Sequence, residues 1–148
     1  MNSDNNQDRQ TLESGPAELS LSWLATDIDL PHVRHTVRAW IQRRGQTPSG
    51  LSADVELAVT ELLTNARSAC ASPNGRVSLH VTREHQRVVV TVTNAGAPFE
   101  PQVQVPGAST VSGRGLTIVA ALGDLAVDHR AGTTTVTVRI AEPEAARQ

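Results

Sequence analysis

Between Leu51 and Cys70, apolar side chains recur at Val55, Ala58, Val59, Leu62, Ala66 and Ala69. That is the i, i+3, i+4 rhythm of a helix with one buried stripe, and the run contains no Gly or Pro. The pattern predicts a central helix here, with Ser52 as its N-cap and Asp54 favourable in its first turn. A second helix is expected from Pro31 to about Arg44, capped by Asp29, with Val33, Val37, Trp40 and Ile41 inward. A third, short and apolar, runs over Leu116 to Leu122 and stops at Gly123. Elsewhere the period is two, as in a half-buried strand. Leu19, Leu21 and Trp23 alternate with serines, and Val77, Leu79 and Val81 alternate with Ser78, His80 and Thr82. Val88 to Thr93 follows a short turn at Glu84-His85-Gln86, which makes a hairpin. Leu125 to His129 and Thr133 to Ile140 make another about Ala131-Gly132. Helices with hairpins imply an α+β two-layer sandwich: a mixed, mostly antiparallel sheet with helices on one face.

Composition narrows this picture. The chain of 148 residues fits one domain with a real core. Residues 1–17, rich in Asn, Asp, Gln and Ser, read as a disordered tail; 18–141 read as the domain and 142–148 as a polar tail. Aromatics are 2% of residues, so Val, Leu, Ile and Ala must build the core. A net charge of -2 and the scarcity of rings argue against nucleic-acid binding. A single cysteine, Cys70, excludes a disulfide within the chain and reads as a small core residue. No signal-like or membrane-spanning apolar run is present, so the expectation is a cytoplasmic protein without membrane contact.

Three polar features stand apart from the packing pattern. Glu61 and Asn65 are one helical turn apart, at the border of the apolar stripe. There a carboxylate and a carboxamide are costly unless something satisfies them. Asn65 can offer an oxygen to Mg²⁺, and Glu61 can act as a general base. The second feature is Asn94-Ala95-Gly96-Ala97-Pro98-Phe99, directly after a strand. The third is Ser112-Gly113-Arg114-Gly115-Leu116, a glycine-bearing loop feeding a helix start. Such a start favours an anion such as phosphate, and Arg114 can add a charge-assisted contact. Alone, each has a bland reading: a surface pair, a loop, a tight helix entry. The conjunction in this order is more specific. His32 and His35 lack a third ligand, so they do not make a metal site. His80, His85 and His129 read as solvent-facing.

Taken together, these motifs resemble the Bergerat-fold, histidine-kinase-like ATPase domains, and most closely the stand-alone anti-sigma-factor serine kinases. The resemblance runs from about Leu19 to Ile140. Glu61-Leu62-Leu63-Thr64-Asn65-Ala66 is similar to the family's Asn box, which implies Mg²⁺ at Asn65 and a polarising role for Glu61. Asn94 and Gly96 fall where the adenine-binding Asp-x-Gly box is expected. Gly113, Arg114, Gly115 and Leu116 resemble the second glycine box, at the phosphates. Gly132-Thr133 resembles a late Gly-Thr element near the base, and Ala97 to Ser112 would be the ATP lid. One departure is Asn94, where the family carries Asp. A neutral hydrogen bond is worth about 1 kcal/mol less than one to a charged group, which weakens adenine binding without forbidding it. The amide NH₂ can also face a carbonyl, which would admit another purine. The resemblance implies ATP and Mg²⁺ as cofactors and phosphorylation of a Ser on a STAS-type anti-sigma-factor antagonist. It also implies sequestration of a sigma factor by a homodimer. The alternative is a degenerate binding module that sequesters a partner with weak or no nucleotide binding.

Overall fold

The computed structural model describes residues 18–43, 47–48, 50–70, 75–84, 86–95, 111–130 and 132–142, with backbone only at 95 and 111–115. The expected tails at 1–17 and 143–148 lie outside the described residues, as do Gly96, His85, Ala131 and positions 97–110 of the expected lid.

Among the described residues, five strands and three α-helices form the domain. They are β1 (Glu18–Leu24), α1 (Leu30–Arg43), α2 (Leu51–Ala69), β2 (Arg76–Glu84), β3 (Arg87–Ala95), α3 (Val111–Leu122), β4 (Asp124–Arg130) and β5 (Thr133–Ala141). A short 3₁₀ turn, Ala25–Asp27, links β1 to α1. The sheet order is β1-β2-β3-β5-β4. All four described ladders are antiparallel, so the expected mixed sheet is corrected to a purely antiparallel one. The connection from β3 through α3 enters β4 at the sheet edge, and β5 returns between them.

The side-chain alternation decides which face is covered. Val77, Leu79 and Val81 of β2 meet Asn94, Val92 and Val90 of β3. Val88, Val90, Val92 and Asn94 in turn meet Ile140, Val138, Val136 and Thr134 of β5. All of these are buried. The α2 helix packs across β3, with lighter contact to β2 and β5, and α1 and α3 flank it. The buried stripe of α2 holds the expected Val55, Ala58, Val59, Leu62 and Ala66, and adds Leu51 and Leu63. Each fully buried Val or Leu contributes roughly 1.5–3 kcal/mol, so this stripe outweighs any helix cap. On α1, Val33, Val37, Trp40 and Ile41 are buried as expected.

Helix ends differ more. The Asp29 carboxylate accepts from the His32 N–H at 3.3 Å, as a cap should. Ser52 is not the cap of α2. Gly50 is, with φ at 88°, a left-handed conformation glycine adopts without steric cost. The Ser52 hydroxyl instead lies 3.0 Å from Glu56 Oε2, one turn on. Beyond β5, Glu142 belongs to the fold rather than to a free tail: Arg83 donates to both of its oxygens, at 2.8 and 3.2 Å.

Candidate functional site

The valine column of the sheet stops at one rung. Asn94 and Thr134 pair across β3 and β5, and they are the two buried polar residues of the described chain, each 4% exposed. They form the polar end of a recess whose other walls are apolar except at Asn65. Leu62, Asn65 and Ala66 of α2 line one side, and Val92 and Val136 line the sheet beneath. A flat apolar slot with a few convergent polar groups is a usual form for a small-molecule site.

Asn94 has its two amide groups in different situations. The Cys70 thiol, at the end of α2, donates to Asn94 Oδ1 at 2.9 Å. Asn94 Nδ2 is buried and has no partner among the described residues. Burial raises the Cys70 pKa above the ordinary thiol value, which keeps the sulfur protonated and able to donate. Cys70 packs against the core as expected, and its thiol in addition contacts Asn94. The Thr134 hydroxyl lies 2.9 Å from Nδ1 of His129, its partner across the β4–β5 ladder. His129 is exposed, but it is tied to the recess through that hydroxyl.

Asn65 lines the recess, while Glu61, one turn earlier on α2, is half-buried and lies outside its lining. Thr133 also lies outside it. Strand alternation sends the Thr133 side chain to the opposite face from Thr134, and Thr134, which the motif reading does not name, is the one that lines the recess. Leu116 is buried, on α3 where that helix packs against α2. Gly113, Arg114 and Gly115 do not precede a helix, as expected, but fall within the opening turns of α3, which begins at Val111. The N–H groups that open a helix lack partners within it, and the Gly113 amide belongs to that set. The side chain of Arg114, and Gly96 as a whole, lie outside the described residues.

A histidine kinase-like ATPase domain model matches residues 24–140, most of the chain. The chain belongs to the histidine kinase-like ATPase domain family. Its fold is the α+β Bergerat fold, with helices packed on a five-stranded antiparallel sheet. Solved relatives agree on this fold. The histidine kinase domain of the blue-light activated histidine kinase EL346 from Erythrobacter litoralis superposes with a TM-score of 0.53 at 22% identity, covering 76% of this chain and 59% of that one. The chain thus spans about three fifths of that domain's length. The catalytic domain of histidine kinase ThkA superposes with a TM-score of 0.52 at 15% identity, covering 83% of this chain and 95% of that one. No curated protein matches the sequence.

Histidine kinase-like ATPase domains generally bind ATP with Mg²⁺, and the residues present fit a nucleotide. Leu62, Ala66, Val92 and Val136 give the recess between α2 and the sheet an apolar lining of the kind a base stacks against, and the Asn94 NH₂, without a partner among the described residues, gives it one polar anchor. Among the described residues, no three His, Cys, Asp or Glu side chains converge as a metal cage. Mg²⁺ does not need one, because it keeps waters and takes much of its coordination from substrate phosphates. The Asn65 amide on the recess wall carries an oxygen of the hard-donor type that Mg²⁺ prefers. No helix among the described residues is long and apolar enough to cross a membrane.

Proposed function

We propose that the protein is a nucleotide-dependent protein serine/threonine kinase of the anti-sigma-factor type. The observation that carries this reading is the placement of Asn65 on the recess wall with Glu61 one turn away on the same helix. A pure binding module has no chemical need for that pair.

In this reading the base enters between α2 and the sheet and meets Asn94. Gly113, Arg114 and Gly115 hold the phosphates through the start of α3. Asn65 holds Mg²⁺, which neutralises charge on the transferring phosphoryl group when bound. Glu61 accepts the proton of the attacking serine hydroxyl and orients it. The chemistry is then chiefly positioning and charge stabilisation. The substrate would be a serine of a small STAS-type anti-sigma-factor antagonist. A homodimer would sequester the sigma factor until the antagonist is free to compete.

The test is phosphotransfer to such an antagonist from labelled nucleotide with Mg²⁺. Glu61→Ala should abolish transfer and leave nucleotide binding and partner capture intact. Transfer retained in that variant would remove Glu61 from its role. Nucleotide binding without transfer to any antagonist, beside stable capture of a sigma factor, would favour a sequestering module instead.

A further inference from the structure

Asn94 has a fixed hydrogen-bonding polarity. Its Oδ1 is engaged by the Cys70 thiol at 2.9 Å, and its buried Nδ2 has no partner among the described residues. The reverse orientation of the amide would set the NH₂ against a sulfur, which is a weak acceptor, and leave the thiol proton without one. The thiol, kept protonated by burial, therefore sorts the two ends of the amide. The oxygen is held at Cys70, and the NH₂ remains for whatever fills the recess that Asn94 lines. At 4% exposure, water gives that NH₂ little relief.

This arrangement bears on which base fits. An Asn with both groups free reads adenine through its oxygen and its NH₂ together. Here only the donor is free. Adenine presents N7 as acceptor beside an N6 amino donor, whereas guanine presents O6 and N7, both acceptors. With the purine 6-substituent turned towards Asn94, a donor-only group meets guanine O6 but faces the adenine amino group, donor against donor, and is left with N7 alone on that edge of adenine. We propose that the Cys70–Asn94 pair makes the recess select 6-oxopurine nucleotides, guanine over adenine. Asn94 contacts the base and Cys70 is a positioning residue that holds the amide's orientation. The inference rests on the nucleotide-binding reading above and refines it.

Calorimetric titration of the full chain with Mg²⁺ and ATP, GTP or ITP tests this. ITP carries the 6-oxo group without the guanine 2-amino group, so it isolates the contact in question. GTP and ITP should each bind about fivefold or more tighter than ATP, the value of roughly one neutral hydrogen bond. Asn94→Asp removes the donor and should reverse the preference towards ATP. Cys70→Ser keeps a donor and should retain the preference, while Cys70→Ala should bring the GTP-to-ATP ratio towards one. A ratio is insensitive to a general loss of stability in either cysteine variant. ATP binding tighter than both GTP and ITP in the unaltered protein would overturn the inference and leave the nucleotide reading standing. No binding of any of the three by a folded sample would overturn both.

Discussion

Asn94 and Thr134 face each other across the β3–β5 ladder as the one buried polar rung in a column otherwise built of Val and Ile pairs. The rungs Val88–Ile140, Val90–Val138 and Val92–Val136 pack under the helices, and the polar rung lines the recess beside α2. A sheet selected for stability alone would continue the apolar column, because a buried amide with an unpaired donor costs about 1–3 kcal/mol. The break in the pattern therefore marks the site.

Thr134→Val extends the apolar column by one rung. Stability should change by less than about 1 kcal/mol, since the His129 imidazole that loses the hydroxyl is exposed and can turn to water. Nucleotide affinity should fall about fivefold if the hydroxyl contacts the ligand directly or through His129. Chemical denaturation and nucleotide titration on the same sample read the two effects separately.

Gly123 closes α3 against β5. A Cβ placed there would sit 2.1 Å from the Arg139 carbonyl oxygen, which is backbone and cannot swing aside. Gly123→Ala should therefore push α3 or the entry to β4 off the sheet. The expected loss is about 2–3 kcal/mol, at the upper end for overpacking. Urea denaturation should show a lower midpoint with an unchanged slope.

Acid should weaken the joint between α1 and α2. Arg38 donates to both Glu56 oxygens at 2.8 and 2.9 Å, and this pair holds the Glu56 carboxyl below its ordinary value, with Ser52 and the Arg34 charge assisting against partial burial. A carboxylate whose pKa is lowered by folding stabilises the fold above its unfolded pKa. That contribution is lost as pH falls through the folded value. Glu56→Gln should flatten the decline of stability on the acid side of the ordinary carboxylate range, and Arg38→Ala should move the Glu56 titration upward. Denaturation at stepped pH and carboxyl NMR titration check the two statements.

Much of this was legible in the sequence, for reasons specific to each element. The α2 stripe and the β2–β3 hairpin are long, regular runs, and period alone separates helix from strand there. The inward faces of α1 and α2 followed from the same counting. Helix starts were harder. Ser52 looks like a cap, but the chain turns two residues earlier on a left-handed Gly50, a conformation that composition does not reveal. The extra turns at the start of α3 were hidden because two glycines, poor helix formers, fall inside them. The place of Thr134 on the recess was not legible, because parity on a strand needs its register, which pairing with β3 supplies only in three dimensions. The Cys70–Asn94 contact joins residues 24 apart on a helix end and a strand. No local pattern reports such a meeting.

The most direct measurement is amide and side-chain NH₂ NMR of the isotopically labelled chain as nucleotide and Mg²⁺ are added. The expected result is saturable shifts at Asn65, Ala66, Asn94 and Thr134, including the Asn94 side-chain NH₂ signals. Saturable shifts confined to another face of the domain, or none on a folded sample, would contradict a nucleotide site between α2 and the β3–β5 sheet.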